Sequence, residues 1–279
     1  MHSYLIVIFN ESVFDTPTYK TLIKMLSVHP HTATLFVWDN SPLSQHETGI
    51  KSKVKGLDVN YYHSKRNENL SIVYNKVMKS AFELKSDYVT LLDQDSHISS
   101  DFKKSIDDSS SQYLLVPKVC SDKTGVLISP RYQEYNYLIN KCSIKYLDSN
   151  VDPGVFASKN MFAVGSGMTI SKSLWLTGIR FQDKLSFYGV DTEFCTDYAE
   201  INDKFILLDS IIMHNASNEH DEGYGKFKWR LIKYYEHWSY QLIKHVGLPL
   251  GLASLYVGIS LKFVLLKNKI KRLFIINKA

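Results

Sequence analysis

Residues 88–96 read YVTLLDQDS, and this stretch decides the fold class of the chain. Tyr88–Leu92 is a largely apolar run, which is typical of a strand buried on both faces of a sheet. The run leads directly into Asp93, Gln94 and Asp95. Two carboxylates spaced in this way at a strand end can share one divalent cation, and Mg²⁺ and Mn²⁺ take such oxygen ligands. An acidic turn that binds no metal is the alternative interpretation.

Further strand and helix signals lie upstream of this stretch. The predicted strands are Tyr4–Phe9, Thr34–Trp38 and Val59–Tyr62. One predicted helix begins at Thr16-Pro17, and a second covers residues 71–84. Strands that alternate with helices indicate βαβ units. The sequence therefore predicts an α/β fold with a mostly parallel central sheet flanked by helices.

Polar side chains follow three of these strands. Asn10 and Glu11 come after the first strand, Asp39 ends the second, and Asp93 and Asp95 end the fourth. In parallel sheets, ligands bind beyond the carboxyl ends of the strands. The shared position of the three clusters therefore predicts a binding site at that edge.

Several single positions admit both a functional and a structural interpretation. Asp39 either contacts a nucleobase or ribose or closes a turn, and Arg66 either pairs with a diphosphate or is a solvated surface residue. Asp191 and Glu193 are either a general base with a neighbouring acid at a pocket or acids that favour the start of a helix. His214 is either a metal ligand or a structural histidine.

The second half of the chain is less regular. Residues 129–160 are polar and rich in tyrosine without a clean period, so they are predicted to form a mobile substrate loop or a long insertion. Phe162–Ser171 and Phe205–Leu208 are predicted strands. Residues 191–200 and 226–245 are predicted helices.

These motifs together resemble the family 2 glycosyltransferases with the GT-A fold, over roughly residues 4–240. The motifs, in chain order, are YLIVIFN, VWDNSP, NENLSIVYNKVMKSA, YVTLLDQDS, AVGSGMTIS and FYGVDTEFCTDY, followed by His214. Within the family, LLDQDS and GVDTEFC are most similar to the bacterial rhamnosyltransferase-like branch. The sequence departs from the family at Leu70-Ser71, where a glycine is often found, and at Tyr74, where a small residue is common.

The resemblance implies a metal-dependent, inverting glycosyltransferase that uses Mg²⁺ or Mn²⁺. Asp191 matches the catalytic aspartate of the family, which deprotonates the acceptor hydroxyl. The implied metal ligands are Asp95, Asp93 and His214. The implied nucleotide-sugar site comprises Phe9, Asn10, Glu11, Asp39, Arg66 and Asp93, and the implied acceptor contacts are Ser166, Gly167 and Glu193.

The resemblance also implies the kind of substrate. The favoured donor is dTDP-rhamnose, with a UDP-hexose or UDP-galactofuranose as the alternative. The favoured acceptor is a hydroxyl of a growing, polyprenyl-linked cell-surface glycan such as an O-antigen or a capsule.

Two other classes of protein remain as alternatives. A catalytically inactive, membrane-bound glycan-binding or scaffold subunit is disfavoured because Asp39, Asp93, Asp95 and Asp191 occur together. A phosphatase of the haloacid-dehalogenase type is disfavoured because its acidic motif usually follows the first strand. In addition, His97 stands where that class usually has Thr or Val.

The net charge of +5 is concentrated in the C-terminal tail. Residues 246–279 contain six basic residues and no acid, so residues 1–245 sum to −1. A nearly neutral body argues against the broad basic face on which nucleic-acid binding depends.

The tail also contains an apolar segment. Residues 246–261 lack any charge, but these sixteen residues are fewer than the roughly 20 of a spanning helix, and the later charges do not fall on one helical face. We predict peripheral, monotopic attachment to an anionic membrane surface, with packing on the body or a dimer contact as the alternative.

The domain organisation and the location follow from these observations. Residues 1–224 are predicted to form the GT-A domain and residues 225–279 a helical, basic, membrane-associating region. Cys120, Cys142 and Cys195 are odd in number and form no CxxC pair, which favours a reducing compartment. The N-terminus does not resemble a signal peptide. The expected location is the cytoplasmic face of the bacterial inner membrane.

Overall fold

A computed structural model describes residues 1–46, 50–52, 54–109, 112–148, 150–215 and 223–276, with the side chains of 271–276 left aside. Lys278, which the sequence assigns to the basic tail, lies outside the described residues. The elements in chain order are β1 His2–Ile8, α1 Pro17–Val28, β2 Ala33–Asp39, β3 Leu57–His63, α2 Leu70–Glu83, β4 Tyr88–Asp93, β5 Ser96–Ile98, α3 Phe102–Asp107, β6 Leu115–Ser121, β7 Leu127–Ser129, β8 Arg131–Asn136, β9 Lys141–Tyr146, β10 Gly154–Ala157, β11 Met161–Phe162, β12 Thr169–Ser171, α4 Lys172–Leu176, α5 Val190–Ile201, β13 Lys204–His214, α6 Tyr224–Val246 and α7 Leu250–Ile276.

The central sheet has the strand order β10-β13-β6-β12-β4-β1-β2-β3, with β5 paired to β13 and β7 paired to β6. Strands β4, β1, β2 and β3 are parallel to one another, and β13 is parallel to β6. β12 runs antiparallel to both of its neighbours, β4 and β6. The mostly parallel sheet flanked by helices confirms the predicted α/β fold class.

The apolar runs and the helix-start signal explain the N-terminal part of the sheet. Every residue of β2 is buried, as expected for a strand covered on both faces. The Thr16 hydroxyl accepts a hydrogen bond from the Tyr19 N–H, and Pro17 occupies the first turn of α1. Such a cap stabilises a helix by about 1 kcal/mol. Helix α1 then packs Leu22 and Met25 into the core beside the sheet.

The register of the strands brings several strand ends to one edge of the sheet. Ile8 lies opposite Asp39 in the β1–β2 pair, and Val7 lies opposite Asp93 in the β1–β4 pair. Because β12 is antiparallel to both β4 and β6, β6 and β13 run in the same direction as β4. His214, the last residue of β13, therefore reaches the same edge as Asp93.

The structure changes two expectations in the middle of the chain. Residues 129–160 are not only loop, since they contain β8, β9 and β10, and β8 and β9 join β11 in a second, three-stranded sheet. The alternative of a long insertion stays a prediction. Strand β9 is exposed along nearly its whole length, so its sequence lacks the apolar alternation of a half-buried strand. Phe162–Ser171 is not one strand either, because a turn with Gly167 at φ +88° separates β11 from β12.

Strand β13 is longer than the predicted Phe205–Leu208. It extends from Lys204 to His214, and its pairing with β6 is irregular between Leu207 and Ile211. Asp209 within this irregular stretch is exposed. The polar interruption hides the second half of the strand from a search for continuous apolar residues.

The chain forms two compact units. Unit 1 comprises Met1–Gln133, Ile144–Ser186 and Val190–Glu219, and unit 2 comprises Glu134–Ser143, Phe187–Gly189 and His220–Ala279. Unit 1 contains the central sheet, and unit 2 contains α6 and α7. The predicted boundary between residues 224 and 225 stays a prediction.

Within unit 2, α6 and α7 pack on each other through a small core. Trp238 and Leu242 of α6 contact Ala253 and Val257 of α7. The sequence predicts an uncharged segment of only sixteen residues here, whereas α7 continues as one helix from Leu250 to Ile276. Pro249 precedes the first turn of α7, where the missing N–H of a proline costs nothing.

Candidate functional site

Two acids and one histidine converge at the carboxyl edge of the central sheet. The Asp95 Oδ1 atom lies 3.4 Å from His214 Nδ1, and the Asp93 Oδ2 atom lies 4.0 Å from His214 Nε2. One ligand atom from each of the three residues fits within 4.8 Å of the others. The acidic side chains are 39% and 41% exposed, so a ligand from solvent can reach them.

Hydroxyl groups hold the turn that carries the two acids. The Thr18 hydroxyl donates to the Asp93 carbonyl at 2.5 Å and accepts from the Ser96 N–H at 2.8 Å. The Ser96 hydroxyl lies 2.7 Å from the Ser166 hydroxyl and 3.1 Å from His214 Nδ1. The strand end, helix α1 and His214 are therefore linked by one chain of short polar contacts.

Gln94 joins this turn to the end of β1. Its side-chain oxygen accepts from the Phe9 N–H at 2.6 Å, and its amide nitrogen donates to Glu11 at 3.2 Å. Asn10 adopts a left-handed conformation with φ +56°, which asparagine tolerates better than most residues. The structure thus brings Phe9, Asn10 and Glu11 next to the acidic turn.

Asp39 is fully buried and bound within the protein. Its carboxylate accepts hydrogen bonds from the N–H groups of Ser41 and Gln45 and from the Tyr61 hydroxyl, at 2.5 to 2.9 Å. Burial alone would raise the pKa of Asp39, but these hydrogen bonds together lower it below its usual value. In the structure Asp39 shapes the loop after β2 and presents no exposed oxygen.

Asp191 is the second residue of α5 and lies in unit 1 with the acidic turn. Its carboxylate accepts from the Gly165 N–H at 3.2 Å and from the Thr192 N–H at 2.9 Å. Loss of surrounding water raises the pKa of Asp191, and the two N–H groups and the charge of Arg131 oppose that rise. A partly buried carboxylate with a raised pKa is suited to accept a proton.

The remaining predicted site residues lie in different settings. Arg66 is exposed in the loop before α2. Ser166 and Glu193 are fully buried. A Cβ on Gly167 would lie 2.5 Å from Pro117 and from Ile212, so glycine is required there for packing. The Ser166 hydroxyl accepts a hydrogen bond from the Asp93 N–H at 3.3 Å, and the Gly167 N–H donates to the Leu91 carbonyl at 2.7 Å. The acceptor contacts expected for these residues stay predictions.

The electrostatics around Asp93 favour a cation. Desolvation raises the pKa of Asp93 above its usual range, His214 opposes the rise, and the charges of Asp95 and Asp191 add to it. Three carboxylates near one point repel one another unless a positive charge compensates them. Two carboxylates and one imidazole within reach of a common point fit a divalent metal ion.

Three residues of this site were missed from the sequence. Thr18 and Gln94 were not singled out, because their roles depend on contacts with residues more than 70 positions away. Ser96 was seen only as the last residue of the motif. For Thr18, the sequence predicts only its place at the start of a helix, one residue after the Thr16-Pro17 signal.

No protein-family model and no curated protein sequence matches the chain. Among solved structures, the chain is similar to GalNAc-T7 crystallised with UDP, GalNAc and Mn²⁺, at 15% identity and a TM-score of 0.55 over 89% of this chain. It is also similar to S. aureus TarS 1-349 in complex with UDP-GlcNAc, at 12% identity and a TM-score of 0.56, over 92% of this chain and 70% of that one.

These likenesses show the fold. The predicted GT-A glycosyltransferase fold is confirmed, whereas the rhamnosyltransferase-like branch stays a prediction. The chain spans about half of the GalNAc-T7 structure, 51% of its length. Activity and substrates therefore need their own support from the site.

Proposed function

We propose that the protein is an inverting glycosyltransferase that moves a sugar from a nucleotide-sugar donor to an acceptor hydroxyl. The observation that carries this proposal is the convergence of Asp93, Asp95 and His214 at the carboxyl edge of a GT-A sheet, in the same unit as Asp191. The first three residues suit the diphosphate side of a donor. Asp191 suits the acceptor side.

The proposed chemistry needs one base. Asp191 takes the proton of the acceptor hydroxyl while that oxygen bonds to the anomeric carbon and the nucleoside diphosphate leaves. The Gly165 and Thr192 N–H groups hold the carboxylate in one orientation for this transfer. A single displacement inverts the configuration at the anomeric carbon, and no nucleophilic carboxylate is required.

Asp95, Asp93 and His214 are the proposed metal ligands. A divalent cation bound there would supply positive charge next to the departing diphosphate. Because Mg²⁺ prefers oxygen ligands, the imidazole in this set favours Mn²⁺. The GalNAc-T7 structure, which shares the fold, contains Mn²⁺.

For the donor, we propose dTDP-rhamnose on the strength of the sequence motifs and keep a UDP-hexose or UDP-galactofuranose as the second candidate. The second candidate gains support because the structures of similar fold contain UDP or UDP-GlcNAc. Phe9, Asn10, Glu11 and Arg66 are the proposed contacts to the nucleotide. Asp39 would act through the loop that it holds.

For the acceptor side, we propose that unit 2 attaches to an anionic membrane surface that carries the polyprenyl-linked glycan. An exposed apolar stripe supports this proposal, and its members are Leu252, Leu255, Ile259, Phe263, Leu266 and Ile270, each 44–68% exposed. Their spacing of three and four residues aligns them on one face of α7. Exposed apolar surface of this extent favours an interaction.

The stripe favours a helix that lies along the membrane surface. Leu250–Ile270 is long and apolar enough to cross a membrane, by length and composition alone. Lys262 falls near the middle of that segment, where a lysine costs about 2.5–3.5 kcal/mol in a spanning helix. Lys262, Lys267 and Lys269 instead stand beside the stripe, where they can contact anionic lipid head groups. The proposed location is the cytoplasmic face of the bacterial inner membrane.

The metal role is tested with Asp95→Asn. We expect this variant to lose Mn²⁺-dependent donor binding by at least roughly tenfold, because one of the three ligands becomes neutral. Isothermal titration of UDP and dTDP sugars with and without Mn²⁺ measures this effect. Asp209→Asn is the matched control, since Asp209 is an exposed carboxylate on β13, the strand of His214.

The outcomes separate the proposal from its rivals. Donor binding by Asp95→Asn that equals the wild type in Mn²⁺ would refute the metal role. A wild-type protein that binds donors but neither transfers nor hydrolyses them would support the inactive glycan-binding subunit instead.

A further inference from the structure

In Tyr74 of α2, the aromatic ring packs against neighbouring side chains, whereas the hydroxyl group lacks such contacts. The residue is 5% exposed, and its ring packs edge-on against Phe181 with centroids 5.0 Å apart. Phe181 in turn stacks on Phe194 of α5 at 4.2 Å. These contacts fix the direction in which the hydroxyl points.

The Tyr74 hydroxyl points toward the site. A Cβ built on Gly165 would lie 3.4 Å from this oxygen, and the Gly165 N–H is the group that binds the Asp191 carboxylate. Burial, together with the charges of Asp93 and Asp191, raises the pKa of Tyr74 well above its usual value. The hydroxyl therefore keeps its proton and can act as a hydrogen-bond donor.

Within the described part of the chain, no group forms a hydrogen bond with this hydroxyl. The oxygen also keeps a small accessible surface, because it is not one of the fully enclosed and unpaired side-chain atoms of the described residues. The four enclosed and unpaired atoms of the described residues belong to His2, His29, Ser99 and Ser210. A donor that is fixed by packing, directed at the site and not fully enclosed is suited to bind a ligand.

We propose that the Tyr74 hydroxyl donates a hydrogen bond to the sugar ring that is transferred, and that Tyr74 is a specificity-determining residue for that sugar. This inference rests on the proposed function. There the diphosphate lies at Asp93 and Asp95 and the acceptor hydroxyl lies at Asp191. The sugar ring is the part of the substrate between them, and its hydroxyl and ring oxygens accept hydrogen bonds.

The test compares the binding of a donor with the binding of its nucleotide alone. UDP-GlcNAc, UDP-glucose and dTDP-rhamnose are first screened with Mn²⁺ by thermal shift, because a bound donor raises the melting temperature. Isothermal titration then gives Kd for the best donor and for its nucleoside diphosphate. In Tyr74→Phe we expect Kd of the nucleotide sugar to rise about fivefold or more, with Kd of the diphosphate unchanged.

The melting temperature of Tyr74→Phe and a matched control variant, Tyr4→Phe, distinguish a ligand contact of Tyr74 from a structural role. Tyr74→Phe keeps the ring and removes a hydroxyl that no described residue binds, so we expect an unchanged Tm. Tyr4→Phe removes the hydroxyl of another buried tyrosine, which lies in β1 and 3.4 Å from His31. We expect this control to leave both dissociation constants at their wild-type values.

Each outcome decides between the alternatives. Equal Kd values for the nucleotide sugar in Tyr74→Phe and wild type would overturn the Tyr74 assignment while leaving the proposed function in place. A parallel rise for the sugar donor and the diphosphate would also overturn it. A wild-type protein that binds no nucleotide sugar would overturn the proposed function and this inference together.

Discussion

Asp191 is the residue on which the proposed chemistry depends. In Asp191→Asn the side chain can still accept the Gly165 N–H but no longer accepts a proton. We therefore expect the transfer rate to fall by roughly 10²–10⁴ while the donor Kd stays within about twofold of the wild type. Turnover assays with titration calorimetry in Mn²⁺ measure both quantities, and wild-type turnover would exclude Asp191 as the base.

The pH profile provides a second readout of the same assignment. The base must be ionised, so the rate falls as the pH decreases through the pKa of Asp191. Because desolvation raises this pKa, we expect the fall at a higher pH than the value of about 3.9 for an exposed aspartate. A rate that stays constant down to about pH 4 would contradict the assignment.

At the residue scale, the sequence predicted the parts of the site that form a local motif. Asp93 and Asp95 stand out because they end a buried strand, and the family resemblance adds Asp191 and His214. Tyr74 was noted only as a departure from the family. Its relation to Gly165 arises from packing between distant segments, which no local pattern encodes.

At the scale of elements, helix α1 stabilises the acidic turn through Thr18. In Thr18→Val the Asp93 carbonyl and the Ser96 N–H lose their partner in a fully buried position. We expect the free energy of unfolding to decrease by about 1–3 kcal/mol, because a buried unpaired polar group bears its full desolvation penalty. Urea unfolding followed by circular dichroism measures the change.

Ser27→Ala serves as the control for this substitution. Ser27 is exposed on the same helix, where its hydroxyl donates only to the Ile23 carbonyl. A change within about 0.5 kcal/mol is expected there. If Thr18→Val were as stable as Ser27→Ala, the Thr18 contacts would contribute nothing to the turn.

The sequence predicted the buried strands well and the exposed strands poorly. β1, β2 and β4 are apolar runs covered on both faces, and their positions agree with the prediction. β9 is a solvated strand, and its pairing with β8 is a tertiary effect that its own sequence does not show. The same reasoning applies to the exposed stretch of β13 around Asp209.

At the scale of the whole molecule, the apolar stripe on α7 is the feature that a soluble enzyme does not require. We expect Ile259→Asn to reduce binding to vesicles that contain anionic phosphatidylserine, since a 61% exposed apolar side chain is replaced by an amide. Cosedimentation with such vesicles measures the bound fraction. Ser260→Asn places the same side chain one position away, beside the stripe, and we expect it to bind as the wild type does.

Other results would change this interpretation. Binding of Ile259→Asn equal to that of Ser260→Asn would reject the stripe as the lipid contact. A concentration-dependent dimer in the absence of lipid that Ile259→Asn abolishes would identify a second copy as its partner.

The rotation of α7 within unit 2 has a further consequence. Ala253 and Val257 pack against α6, and the Tyr256 hydroxyl donates to the Leu138 carbonyl. These contacts fix the rotation of α7, so the stripe faces away from the small core between α6 and α7. From Leu252 to Ile270 it extends about 27 Å. In the proposed attachment along this length, the protein would search for its acceptor in two dimensions. Its turnover would then follow the number of acceptor molecules per unit of membrane area, and mixing in acceptor-free lipid would slow it even when the bulk concentration is unchanged.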